Sequence, residues 1–73
     1  VETVCYEILR EIVRVHKTID ADRFLVYAAP AVVEALKGDE SHALAEVEIF
    51  VGKQVKVQTE LLYSQEQFDV VMM

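Results

Sequence analysis

A single cysteine, Cys5, leaves this chain of 73 residues no internal disulfide to form. That fits a reducing compartment, and a cytoplasmic location is expected. No apolar run approaches the roughly 20 residues that span a bilayer. No charged n-region leads into an apolar h-region, so neither a membrane span nor a signal peptide is expected within this sequence. Basic side chains are scarce: seven against 13 acidic ones, a formal charge of -6. A module that grips nucleic acid by itself usually presents a basic face, whereas this chain repels phosphate on average. Repeats, low-complexity tracts and linkers are lacking too. What remains is 53% hydrophobic and 27% charged, too apolar for intrinsic disorder and long enough for one domain only. A domain of this size buries only about 60% of its extended-chain surface, so its stability margin is thin. The first residue is Val1 rather than methionine, which reads as a piece of a longer protein.

Val4, Cys5, Ile8, Ile12, Val15 and Ile19 recur at steps of one, three and four, which predicts a helix over 2–19 with these residues on its buried face. Glu7 with Arg10 and Glu11 with Arg14 are opposite charges three residues apart on the solvent side. Asp20 and Asp22 end the pattern. The apolar, aromatic and β-branched run 23–28 reads as a buried strand. Ala29 should stay extended before Pro30, and Pro30 is suited to open a helix that runs through Ala31 to Lys37. Gly38 is a natural stop.

Asp39 can cap the next helix, with Glu40 favourable near its positive end. Ala43, Leu44, Val47, Phe50 and Val51 repeat at helical spacing. Val47, Ile49 and Val51 also alternate, and Gly52-Lys53 could be a hairpin turn. The helix is the preferred reading for 39–51. Clean alternation over 54–60, with Val55, Val57 and Thr59 on one side, predicts a half-buried strand. A last strand over 67–72 places Phe68, Val70 and Met72 together. The expected architecture is α+β, in the order helix-strand-helix-helix-strand-strand. The first two strands are parallel through a right-handed crossover, and the third returns antiparallel.

Catalytic constellations are not found. His16 and His42 lie on different elements, without cysteine or carboxylate at zinc-motif spacing. Asp20-Ala-Asp22 reads as a solvated turn rather than a metal pair. Gly52-Lys53 lacks the earlier glycine and the following hydroxyl of a phosphate-binding loop. Cys5, inside the apolar stripe and without a basic partner, reads as structural. Glu46, Glu48, Glu60, Glu66 and Asp69 read as a solvated acidic surface, and Lys53 and Lys56 as a weak basic patch.

Residues 1–12 (VETVCYEILREI) and 41–58 (SHALAEVEIFVGKQVKVQ), with Asp22-Arg-Phe-Leu-Val-Tyr and the closing Glu66-Gln-Phe-Asp-Val-Val-Met-Met, extend the reading. Over essentially its whole length the chain resembles the C-terminal small domain of the bacterial ribonuclease E/G family. The resemblance implies a fragment of a single-strand-specific endoribonuclease that matures ribosomal RNA and turns over messages. It implies magnesium held by paired aspartates elsewhere in the parent, and an upstream zinc link with a Cys-Pro-x-Cys signature. That signature is absent here, so Cys5 inherits no zinc role and no residue inherits a catalytic one. The resemblance further implies that this domain joins protomers into dimers or tetramers.

A second apolar row on the first helix, Tyr6, Leu9 and Val13, agrees with that role, because a helix greasy on two sides is usually buried on two sides. Two functions are therefore carried forward. One is an assembly module contacting other domains or protomers through Tyr6, Leu9 and Val13. The other is an accessory RNA-binding module of KH-like or initiation-factor-like shape, using Lys53, Lys56, Arg10 and Arg14. Net charge favours the first.

Overall fold

Three helices cover one face of a three-stranded mixed sheet in the computed structural model, which describes residues 1–73. The elements are α1 (Glu2–His16), β1 (Arg23–Ala28), α2 (Pro30–Lys37), α3 (Ser41–Val51), β2 (Gln54–Thr59) and β3 (Phe68–Met72). This is the α+β order that the periodicities predict.

β1 lies at the centre of the sheet, in the order β2-β1-β3. It pairs parallel with β2 across the α2–α3 crossover and antiparallel with β3. Register decides which side chains reach the helices. Phe24 stands between Val55 and Met72, and Val26 between Val57 and Val70. Phe24, Val26 and Ala28 are buried, while Leu25 and Tyr27 between them are only half-buried. β1 is thus covered on one face, not on both as its unbroken apolar run implies.

α1 supplies Val4, Cys5, Ile8, Leu9, Ile12 and Val15 to the core. It is shorter than the periodicity predicts. The helix ends at His16, Lys17 makes the last turn, and Thr18 bonds back to the Val15 carbonyl through both its amide and its hydroxyl. Ile19, expected on the buried stripe, therefore falls beyond the helix and is 47% exposed.

Ala29 is extended (φ -61°, ψ 155°) and Pro30 opens α2. Gly38 closes α2 without a left-handed turn (φ -113°). A Cβ there would meet the Glu34 carbonyl oxygen at 3.2 Å, so close backbone approach is what favours glycine. The expected Asp39 cap does not form. α3 begins two residues later, and the Glu40 and Ser41 amides are instead satisfied by the Ala35 and Gly38 carbonyls. Segment 41–51 is helical, and Gly52 ends it in the left-handed conformation (φ 68°) that glycine adopts without a Cβ penalty. Sixteen buried side chains, all apolar, form one cluster, and no buried side-chain polar atom lacks a partner. These residues bring their own core.

Candidate interface site

α3 is apolar on nearly every side, yet Val51 is its one buried residue. Ala43, Leu44 and Val47 are half-covered, while Ile49 is 81% and Phe50 64% exposed. α3 crosses α1, and between them runs an open groove of about 610 Å³. Tyr6, Leu9, Val13, Ala43, Val47 and Phe50 line it, and Arg10 and Glu46 are the only charged side chains there. The His16 ring meets Phe50 edge-on, with centroids 6.5 Å apart, which gives that exposed aromatic a fixed neighbour.

The groove reshapes the row expected on α1. Leu9 is 5% exposed and belongs to the core, because α3 lies over that side of α1. It is not available to a partner, so its reading as an interface residue is corrected. Val13 is half-buried on the groove wall, and Tyr6 remains 55% exposed. The residues missed are Ile49 and Phe50. Phe50 stands at helical spacing with Ala43, Leu44, Val47 and Val51, but α3 has no polar face wide enough to be its solvent side, so part of its apolar surface stays exposed.

The four basic residues assigned to RNA do not converge. Arg10 and Arg14 line a shallow depression on α1 with Glu7, Glu11 and Phe68. Arg14 is held there by a two-pronged bond to Glu11, Nε to Oε1 and Nη2 to Oε2, both 2.7 Å. The hydrogen bond from Arg14 holds the Glu11 carboxyl below its ordinary range, and the pair is solvent-exposed, so it adds little stability. Glu7 and Arg10 form no such bridge. Lys53 sits in the bend after α3, while Lys56 is exposed on the uncovered side of the sheet.

No three histidine, cysteine or carboxylate side chains gather as metal ligands. Of the acids read as a solvated surface, Glu46, Glu66 and Asp69 are exposed and Glu48 and Glu60 half-buried, and several also have local partners. Glu48 accepts the Val55 amide at 2.9 Å and ties the end of α3 to β2. Asp69 accepts the Tyr63 hydroxyl, and that bond raises the phenol's pKa. Glu46 approaches His42 at 3.1 Å on the exposed side of α3. Cys5 is fully buried, and burial pushes its thiol pKa up. A thiol-specific reagent should therefore leave Cys5 unmodified in native buffer and label it fully in denaturant. Rapid native labelling would show that α1 does not cover it.

All 73 residues match proteins described as ribonuclease G: 85% identity with that of Salmonella typhimurium (strain SL1344) and 84% with that of Escherichia coli (strain K12). The Haemophilus influenzae ribonuclease G is 62% identical. The chain belongs to the ribonuclease G family. It spans 15% of the length of these relatives. No protein-family model matches it. In this ribonuclease G segment no helix is long and apolar enough to cross a membrane. The part of a ribonuclease G that folds here is thus a small helix-on-sheet unit with an open apolar groove.

Proposed function

We propose that this chain is the non-catalytic C-terminal small domain of a cytoplasmic, single-strand-specific endoribonuclease acting in ribosomal RNA maturation and RNA turnover. Its role is to join copies of that enzyme into dimers or tetramers. The observation that carries this reading is the α1–α3 groove, where Tyr6 and Phe50, 55% and 64% exposed, stand in water beside a mostly apolar lining. Exposed apolar patches with charged side chains at hand mark association surfaces. Two-fold association is the commonest closure for such a face, since the same patch then serves both copies. The resemblance implies magnesium and zinc for the parent. They are assigned to the remainder of the enzyme, where RNA is also cut.

Sedimentation of the 73-residue chain over a range of concentrations tests the reading. The average mass should rise with concentration, and single-stranded RNA mixed with the chain and magnesium should stay intact. A chain that remains monomeric throughout, or RNA turnover that survives repurification, contradicts it.

A further inference from the structure

The two free edges of the sheet are not alike. β1 is central, so β2 and β3 each present one edge. The β2 edge is partly closed: Glu48 reaches over from α3 and accepts the Val55 amide at 2.9 Å, and Lys56 adds the kind of charge that discourages further pairing. β3 carries neither proline nor lysine. Its ladder with β1 shows which groups it leaves open. Arg23 and Met73 exchange both bonds, the Arg23 amide to the Met73 carbonyl at 3.3 Å and the Met73 amide to the Arg23 carbonyl at 3.0 Å. In an antiparallel pair such bonded pairs alternate with unbonded ones. Val71 and Asp69 therefore bond inward to β1, and the amides and carbonyls of Phe68, Val70 and Met72 point away from it. Beside this edge a depression of about 590 Å³ lies between α1 and Phe68. Tyr6 and Phe68 supply its apolar part. Arg14 is held there by Glu11, but Arg10 has no ion-pair partner.

The geometry points to a peptide-binding site at the β3 edge: an extended segment of a partner protein adds a fourth strand, antiparallel to β3, and turns alternate side chains into the depression. Added strands take their affinity from main-chain bonds and their specificity from pockets for every second side chain. Antiparallel pairing is the slightly more stable arrangement. The lining selects two of the segment's helix-facing side chains. One is large and apolar, against Tyr6 and Phe68. The other is a carboxylate, which the planar Arg10 guanidinium can hold with two bonds. The spacing agrees, since the four residues from Tyr6 to Arg10 rise about 6 Å along a helix and two residues of a strand span about 7 Å. A second copy does not fit, because its Phe68, Val70 and Met72 are packed against its own core and cannot also fill the depression. The site does not rest on the assembly reading, although Tyr6 and Arg10 also border the α1–α3 groove.

Fluorescence anisotropy of the labelled peptide Phe-Thr-Glu-Thr-Phe, titrated with the 73-residue chain, tests the site. As a strand this peptide presents both phenylalanines and the glutamate on one face. In an antiparallel added strand its glutamate amide points at β3 and its threonine amides at solvent. N-methylation of the glutamate amide should therefore abolish binding, and N-methylation of the threonine amides should leave it unchanged. Arg10→Ala should weaken binding by up to about fivefold, as for one exposed ion pair. A peptide with glutamine in place of glutamate should bind as weakly and be indifferent to Arg10→Ala. Amide hydrogen exchange should slow at Phe68, Val70 and Met72 when the peptide is added, and stay as it was at Asp69 and Val71. No binding, or binding that tolerates methylation at the glutamate, overturns the proposal. So does protection of the Phe68, Val70 and Met72 amides that rises with chain concentration in the absence of peptide, which would put a second copy on the edge.

Discussion

Ile12→Ala is expected to lower the unfolding free energy by about 2 to 5 kcal/mol. Ile12 is fully buried in the middle of α1, within the cluster that joins the helix to the sheet. Truncation removes three carbons from water-free contact and leaves a cavity whose walls, on two regular elements, cannot collapse freely. Stability near 0.05 to 0.15 kcal/mol per residue gives a chain of this length only about 4 to 11 kcal/mol in total. One truncation can therefore remove a large share of the native population. Urea denaturation followed by circular dichroism reads the loss as a shift of the midpoint at constant slope. Ile19→Ala supplies the contrast. It deletes the same atoms from a residue just past the helix end and should change stability by no more than about 0.5 kcal/mol. Equal effects at 12 and 19 would show that α1 continues to 19, as its periodicity predicts, and that the helix end is misplaced.

Tyr6→Ser combined with Phe50→Ser should separate association from folding. Full burial of a large apolar side chain stabilises by about 1.5 to 3 kcal/mol. Tyr6 and Phe50 are 55% and 64% exposed, so a partner could still cover more than half of each. The pair is then worth about 2 to 4 kcal/mol on each protomer. Every 1.4 kcal/mol is tenfold in affinity, so even one face of the contact predicts a loss of roughly 30- to 1,000-fold. A two-fold contact, in which both protomers lose the pair, predicts more. Leu9 must be left alone in this experiment, since its loss would unfold the chain and mimic dissociation.

The parts of this fold that the sequence announces are those where a period runs from end to end of an element. Alternation over 54–60, the spacing of Phe68, Val70 and Met72, and the Pro30 boundary lead directly to β2, β3 and α2, while Gly52, which also reads as part of a hairpin turn, ends α3. The errors lie where a period cannot say what covers it. Ile19 continues the helical step but not the helix, because Thr18 turns back to Val15. Leu9 lies four residues after Cys5 and three before Ile12, so it can join the core stripe or border it. The arrival of α3 decides, and nothing local to α1 encodes that arrival. β1 reads as doubly buried because Leu25 and Tyr27 interrupt its alternation, yet the helices cover only one side. The basic residues share a sign but not a surface: Arg10 and Arg14 belong to α1, Lys56 to the far face of the sheet. Exposure of Ile49 and Phe50 follows from tertiary packing and is the least legible feature of the candidate site.

Assembly through the α1–α3 groove is tested most directly by sedimentation of the complete ribonuclease polypeptide carrying Tyr6→Ser and Phe50→Ser, beside thermal melting of the 73-residue chain with the same changes. The predicted result is a smaller assembly in the first measurement and an unchanged midpoint in the second. An assembly of parental mass, with the midpoint equally unchanged, would contradict the account, because Tyr6 and Phe50 would then be ordinary exposed side chains.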